Sequence, residues 1–430
     1  MSHQLSNLQE TLVADLATLR AAGAEAIVVG PAALTLSQGV PLPLEMRPVV
    51  VVDRAITPTI ADGLRSLVDL RVADDLRSGA ETIAKQWPIG PWRLMVDAQR
   101  CTEAAEGAIE DVQRGQLRLV KDPRKWLRGR VSRILDVAVW AAQTGLQPTR
   151  EVVRAAKRDA GHVLTLDRAI WRDRFNTLLV SWRASVGLQF LFDCGALPLM
   201  LHEVCAMHGF HESCPVHHKD IWDHTLQVVD KCPPTLSVRW TALMHDTGKV
   251  WTRTVNAKGK VHFFRHEELG ASLMKGVAAR FELDDELAAR VCYVIANHAR
   301  ANVYSTEWTD SAVRRLIRDM GSHLDDVIAF SRSDYTTKRA WRIKEVRELG
   351  VELIRRIEEV RAIDARVAPL PKGLGNALMA ATERGPGRWL GDIQRWLESE
   401  VEAGRLEAGL TAPEYVAYVQ RHNSALIESN

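Results

Sequence analysis

No two cysteines of this sequence stand in a CxxC pair. The six, Cys101, Cys194, Cys205, Cys214, Cys232 and Cys292, are scattered along the chain, which argues against a zinc ribbon and a disulfide framework. A reduced, cytoplasmic setting is the resulting expectation. Long hydrophobic runs are missing as well, and no apolar stretch approaches the roughly 18 residues that a membrane span needs. The start, MSHQLSNLQETLVADL, lacks the pattern of a signal peptide; Leu5, Leu8, Leu12, Leu16 and Leu19 recur at helical spacing instead. Internal repeats and low-complexity tracts are absent. Charge of one sign is scarce overall, with a net of +2, so the global balance does not mark a nucleic-acid binder.

What is present is an ordinary globular composition, 430 residues with 46% hydrophobic, enough for roughly two to four domains and a sizeable core. Strand signals are confined to the first hundred residues: EAIVVG (25–30), RPVVVVD (47–53) and the weaker RLMVDA (93–98). Helical stretches such as TIADGLRSLVDL lie between them. After about residue 120 the apolar residues recur at three- and four-residue spacing, as in WLRGRVSRILDVAVWAAQTG, ALPLMLHEVCAMHG and DELAARVCYVIANH. Gly145, Gly209 and Gly321 are expected helix stops, Thr309-Asp310 a helix start, and Pro233-Pro234 a separator of two helices. The pattern predicts an α+β chain, mainly α, with a small α/β unit first.

ALMHDTGKV, residues 242–250, carries the densest chemistry, because an apolar helix runs into His245-Asp246 and a Gly-Lys pair follows. His224 in IWDHTLQVV sits on the preceding helix, and Asp334 in AFSRSDYTTK on a later one. Two imidazoles and two carboxylates suit a hard or borderline divalent ion with positions left for water, and such an ion supplies hydroxide near neutral pH. Lys249, one turn past His245, is placed to meet a phosphate oxygen. The competing reading is of capping aspartates and satisfied core histidines.

The H…HD…D pattern of His224, His245, Asp246 and Asp334 resembles the HD-domain phosphohydrolase signature. His266 in FFRHEELGA and His298 in VIANHARANVY match positions at which some HD proteins bind a second metal; otherwise they line a one-metal cleft. The resemblance implies magnesium, manganese, nickel or a similar divalent ion, one or two in number. His262 and the His217-His218 pair are expected to be surface or cleft residues. Beyond this block, WTDSAVRRLIRDMGSHLDDVIAFSRSDYTTK is similar to helices of bacterial CCA-adding enzymes, members of the tRNA nucleotidyltransferase and poly(A) polymerase family. NALMAATERGPGRWLGDIQRWLESEVEAG keeps that family's spacing at Gly385, Pro386, Gly387 and Gly391. EDVQRGQLRLV resembles the segment after the family's palm, and WLRGRVSRILDVAVWAAQTGLQPT its neck helix. The implied layout is a nucleotidyltransferase-like palm over 1–112, a helical neck over 113–205, an HD domain over 206–362 and a helical tail over 363–430.

The palm departs from the family. Its phosphate turn, a Gly-Gly there, reads VVGPAALTL, where Pro31 removes a backbone donor after Gly30. The metal strand, Asp-x-Asp in the family, reads RPVVVVDRA, leaving Asp53, with Asp97 in RLMVDA as the third-strand carboxylate. Two scattered carboxylates are a poor two-metal clamp. In the neck, Arg130 stands where the family's base-reading aspartate belongs and Arg133 at its arginine; an arginine offers no acceptor to a base. The palm is therefore expected to be degenerate.

Local basic clusters point to an RNA backbone track. One includes Arg118, Arg124, Lys125, Arg128 and Arg133, a second Arg314, Arg315 and Arg318, and a third Lys338 and Arg339. Trp126, Trp140, Trp308 and Trp341 lie near them and could stack on bases, although helix packing is the expected role of most of the thirteen tryptophans. The expected function is metal-dependent hydrolysis of a phosphoester on a nucleotide or a tRNA or other RNA 3′ end, with Asp246 and Lys249 at the chemistry and no membrane partner. The alternatives are a divergent tRNA nucleotidyltransferase and a tRNA-binding protein without chemistry.

Overall fold

The structure, a computed structural model, describes residues 2–40, 42, 46–57, 60, 64, 68–97, 100–210, 220–335, 339–365, 370–424 and 426. It is mainly helical, with one five-stranded sheet near the start. Strands β1 (Ala26–Val29), β2 (Val49–Val52), β3 (Asp69–Val72), β4 (Leu94–Val96) and β5 (Cys101–Glu103) lie in the order β3-β2-β1-β4-β5. β1 runs antiparallel to both β2 and β4, with Ala26 opposite Val52 and Val29 opposite Val49 and Met95.

The valine-rich strands show no alternation because both faces of the sheet are covered. Val28, Val50 and Val52 face a core that includes Leu12, Leu16 and Leu19 of the first helix. Ile27, Val29, Val51 and Met95 face Ala80 and Ala84 of the helix Leu76–Ala84. The first core continues through the helices Arg133–Thr144, Arg168–Val180 and Ala184–Asp193 into the helices that bear the histidines. Tail residues pack separately, with Leu374, Leu378, Ile393, Leu397, Tyr415 and Val419 in a small core of their own. The chain accordingly forms two compact units, 1–307 with 316–350, and 308–315 with 351–430. No helix among the described residues is long and apolar enough to cross a membrane.

Several local expectations meet corrections. Asp69 and Leu70, expected in a helix, open β3, since they extend the sheet beside the β2 valines. The neck stretch breaks at Gly129, and its long helix begins only at Arg133. Strands also occur beyond residue 100: Gln116–Leu117 pairs with Gln147–Pro148, and Arg253–Val255 forms a hairpin with Val261–Phe263.

Unit 1 contains a half-buried ion pair that ties the short helix His202–Cys205 to the helix His266–Phe281. Arg280 donates to both oxygens of Glu203 and, over 3.0 Å, to the Met200 carbonyl. Burial alone would raise the Glu203 pKa, but the Arg280 bonds outweigh it and hold the carboxyl below the usual 4.5. Glu203→Ala should therefore cost about 3 kcal/mol in urea denaturation, at the low end for a broken buried pair because the Arg280 side chain is 25% exposed. The advantage of wild type over Glu203→Gln should be complete above pH 4.5 and fade as pH falls through the depressed native value.

Candidate metal centre

The helix Ile221–Lys231 turns Ile221, Trp222, Thr225 and Val228 into the core, and His224 shares that face. The helix Leu236–Met244 is buried from Val238 onward and delivers His245 at its C-terminal end, followed by Asp246. Both are closed off from solvent, at 1% and 2% exposure. Gly248 is dictated by the next element: a Cβ there would lie 2.1 Å from the His266 carbonyl oxygen. Only glycine lets the helix His266–Phe281 begin so close to the His-Asp pair.

Two groups of three candidate ligands result, each with its donor atoms within 4.8 Å of one another: His224, His245 and Asp334, and beside them Asp246, His266 and His298. Asp246 faces both. Its Oδ2 lies 3.1 Å from His245 Nε2 and 3.7 Å from His224 Nε2, while its Oδ1 lies 3.9 Å from His266 Nε2. Asp334 Oδ1 is 3.2 Å from His224 Nε2.

Three of the imidazoles are locked the same way. His245, His266 and His298 each place Nδ1 against the backbone carbonyl three residues earlier, at 2.9, 2.9 and 2.7 Å. A proton on Nδ1 in each leaves the Nε2 lone pair aimed at the centre, the usual device for orienting a metal-ligating histidine. His245 Nε2 makes no hydrogen bond, although Asp246 Oδ2 is 3.1 Å away. Two buried acceptors at that distance require a proton or a cation between them. The donor set of imidazoles and carboxylates, with Asp246 shared, fits a pair of divalent ions.

The electrostatics agree. Burial would raise the Asp246 pKa, but His245 and Lys249 hold it well below the usual carboxylate range. Asp334 is likewise held low against burial, by its His224 hydrogen bond and the His245 charge. Burial and the neighbouring His245 push His298 down to about 4, so its ring is neutral at pH 7. His245 moves the other way: burial opposes its charging, yet Asp246 overrides this and raises its pKa above 6.5.

Asn302 was not singled out by the sequence. Its Nδ2 donates to Asp334 Oδ2 over 3.1 Å, and its own oxygen accepts from the Ser331 hydroxyl. Ser333 Oγ donates 3.4 Å to the Lys231 carbonyl, and Lys231 Nζ bonds the Tyr335 carbonyl. Asp334 is thus fastened on both sides. The only local signal was an amide four residues past His298. Lys249 sits with Nζ 3.0 Å from Asp246 Oδ2, 16% exposed at the rim. His262 lies on the 253–263 hairpin, stacked on Phe264, whereas His217-His218 fall outside the described residues.

The two carboxylates expected for a palm stand at the end of the sheet away from Gly30. Gly30 closes β1 beside Leu94, with its N–H bonded to the Leu94 carbonyl at 3.1 Å. Asp53 and Asp97 follow the far ends of β2 and β4, level with Glu25 and Ile27, roughly 17 and 10 Å from Gly30 over five and three strand residues. Asp53 is engaged by Arg54 at 3.1 Å and by the Glu25 N–H at 3.0 Å. Opposite Val29 at the Gly30 end stand Val49 and Met95. A Cβ on Gly30 would meet Trp87 at 2.5 Å, so the indole, not open space, lies against the turn.

The basic clusters are partly structural. Arg118 is spent on Asp111 and the Glu106 carbonyl, and Arg133 lies over Trp126 while bonding its carbonyl at 2.6 Å. Arg124, Lys125 and Arg128 remain exposed. Arg314 pairs with Asp364 at 2.8 Å, Arg318 lies 3.8 Å from Asp319, and Arg315 and Arg339 are exposed. Lys338 lies outside the described residues. Trp126 and Trp140 belong to a packed chain of indoles with Trp92 and Trp87, the core-packing role expected for most tryptophans. Trp341 is 62% exposed.

A proton on His245 competes with any ion for the same position. Divalent affinity should therefore rise with pH above 6.5, the ordinary value that His245 exceeds, by up to about one decade per unit for each proton displaced. Calorimetry in buffers of different ionisation enthalpy should show proton release on binding. Affinity independent of pH between about 6 and 8 would remove this account of His245.

Comparison with known proteins gives the same region a family. The HD domain matches residues 221–329. The CC-adding tRNA nucleotidyltransferase of Thermus thermophilus is 28% identical over 240 residues, 54% of this chain and 51% of that protein. The A-adding tRNA nucleotidyltransferase of Deinococcus radiodurans is 28% identical over 336 residues, 73% of each chain. A multifunctional CCA protein of Pseudomonas fluorescens is 31% identical over 220 residues, 45% of this chain and 49% of that one. The chain thus spans about half the length of the Thermus and Pseudomonas relatives. The Bacillus stearothermophilus CCA-adding enzyme in complex with CTP overlaps 97% of this chain and 98% of its own, at 13% identity and a TM-score of 0.45, too low to argue from. By its sequence, the chain is a homologue of the CCA-adding and A-adding tRNA nucleotidyltransferases that carries an HD domain.

Proposed function

We propose that the chain is a metal-dependent phosphohydrolase whose HD domain cleaves a phosphoester of a nucleotide or of a tRNA or other RNA 3′ end. The observation that carries this reading is the convergence of six ligand side chains on two neighbouring positions that share Asp246. Divalent ions such as magnesium, manganese or nickel, bound by these groups, supply hydroxide near neutral pH and polarise phosphoryl oxygens. Asp246 spans the two positions, and the Nδ1 bonds keep His245, His266 and His298 from turning away. Asn302 holds the Asp334 carboxylate in one orientation. Lys249 brings a positive charge to the rim, where it would offset charge growing on a phosphate oxygen.

Nucleotidyl transfer is the second reading, favoured by what the relatives are called. Against it stands the palm, whose phosphate turn faces valine, methionine and Trp87 in place of a carboxylate pair.

The deciding assay uses RNA ending in a 2′,3′-cyclic phosphate, with manganese, nickel or magnesium and no nucleotide. Wild type should open or remove the terminal phosphate, EDTA should stop it, and Asp246→Asn should be inactive. Asn302→Ala should lose about 10–100-fold in metal affinity or activity, as expected for a group that orients a ligand. In a parallel assay on RNA with a free 3′-hydroxyl, labelled CTP or ATP joining that end at a rate that Asp246→Asn leaves unchanged, with the cyclic phosphate of the first RNA untouched, would instead establish nucleotidyl transfer and sink the hydrolase reading. Gly248→Ala should cost about 1–3 kcal/mol of stability by overpacking and lower the bound-metal count, read by elemental analysis, because His266 must shift.

A further inference from the structure

Between Lys249 and His266 the chain abandons the helical pattern of its neighbours. Strands Arg253–Val255 and Val261–Phe263 pair antiparallel, with Arg253 opposite Phe263 and Val255 opposite Val261. The turn is fully bonded. Asn256 Oδ1 accepts from the Lys258 and Lys260 N–H groups at 2.9 and 3.0 Å, and Gly259 adopts a φ of 73° that a side chain would strain. The hairpin is also anchored to the metal centre. The Phe263 carbonyl is the acceptor for His266 Nδ1, and the Phe263 ring lies 5.5 Å from Lys249 Nζ.

Its surface is unusual in two ways. First, no acidic residue occurs from 247 to 266, whereas Lys249, Arg253, Lys258, Lys260 and Arg265 do. Arg253, Lys258 and Lys260 are exposed and have no ion-pair partner among the described residues. Second, Trp251 and Phe264, at the two feet of the hairpin, are 53% and 67% exposed. His262 lies almost parallel to Phe264, 5.1 Å away at an angle of 8°, which widens the flat surface. Elsewhere Trp92, Trp171, Trp222 and Trp240 are fully buried, whereas Trp251, like Trp341, leaves more than half of its surface open.

Open aromatic faces interleaved with unpaired cations match what a single-stranded polynucleotide needs, rings to stack its bases and charges to follow its phosphates. A protein partner fits less well, since lysine is depleted at protein interfaces. We propose that the 253–263 hairpin, with Trp251 and Phe264 at its feet, is a clamp for the last nucleotides of a single-stranded RNA end whose terminal phosphate enters the metal centre. Bases stack on the two rings, and the backbone runs along Arg253, Lys258 and Lys260. This rests on the hydrolase reading only for the word terminal; the clamp itself binds without chemistry.

The test therefore separates binding from turnover. Fluorescence anisotropy of a short unstructured RNA is measured with the full chain in EDTA, and hydrolysis of bis(p-nitrophenyl) phosphate is measured with manganese. Trp251→Ala and Phe264→Ala should each weaken RNA binding about tenfold. The double variant Lys258→Ala, Lys260→Ala should lower the salt slope by roughly 1.4, for two lost phosphate contacts. Turnover of the small diester should stay at the wild-type level in all of them. RNA binding equal to wild type in every variant overturns the clamp, whatever the diester shows. So does self-association in light scattering that the aromatic variants abolish while RNA affinity holds. Loss of RNA binding in the variants, with no diester hydrolysis by wild type, sustains the clamp and removes the hydrolase reading.

Discussion

An imidazole lone pair and a carboxylate oxygen 3.1 Å apart, closed off from water, repel each other unless something positive stands between them. The contact of His245 with Asp246 is that situation, and much of the surrounding architecture exists to impose it. The apolar helix that precedes the pair excludes solvent. The carbonyls of Ala242, Phe263 and Ile295 stop the rings from rotating to relieve the clash. Gly248 admits the backbone of His266 to the far side of Asp246. Asn302, steadied by Ser331, keeps Asp334 from swinging out to solvent.

Part of this was legible in the chain itself. An apolar run into His245-Asp246, a histidine on the preceding helix and a later aspartate already state a metal-type donor set. His266 and His298 entered only through resemblance, because a histidine on an amphipathic helix has no spacing that distinguishes a ligand from a packed ring. Asn302 was illegible for a plainer reason: its partner Asp334 is 32 residues away, and an amide in ARANVY advertises nothing. The hairpin was hidden as well, since RTVNAKGKVHF alternates weakly and its strands are three residues each.

The first sheet shows a different limit. Valine runs announce strands, but not which way each runs, and direction decides which end of a strand meets a turn. With β1 antiparallel to β2 and β4, residues that follow β2 and β4 fall at the start of β1, away from Gly30. The same valines that replace carboxylates on β2 bury both faces of the sheet. That end of the protein has apolar packing where a polar clamp would have to stand, and the sheet is the more self-sufficient for it.

Lys249 brings the centre a positive charge of its own. Its ammonium, on a flexible four-carbon arm at the rim, already neutralises the carboxylate that the ions would share. Small zinc domains stay unfolded until their metal arrives; a protein with an internal counter-charge can finish folding first. Ion binding at such a centre would then be a late exchange of one cation for others. The supply of ions around the finished protein, more than the order of its intrinsic preferences, would decide which ones take the place.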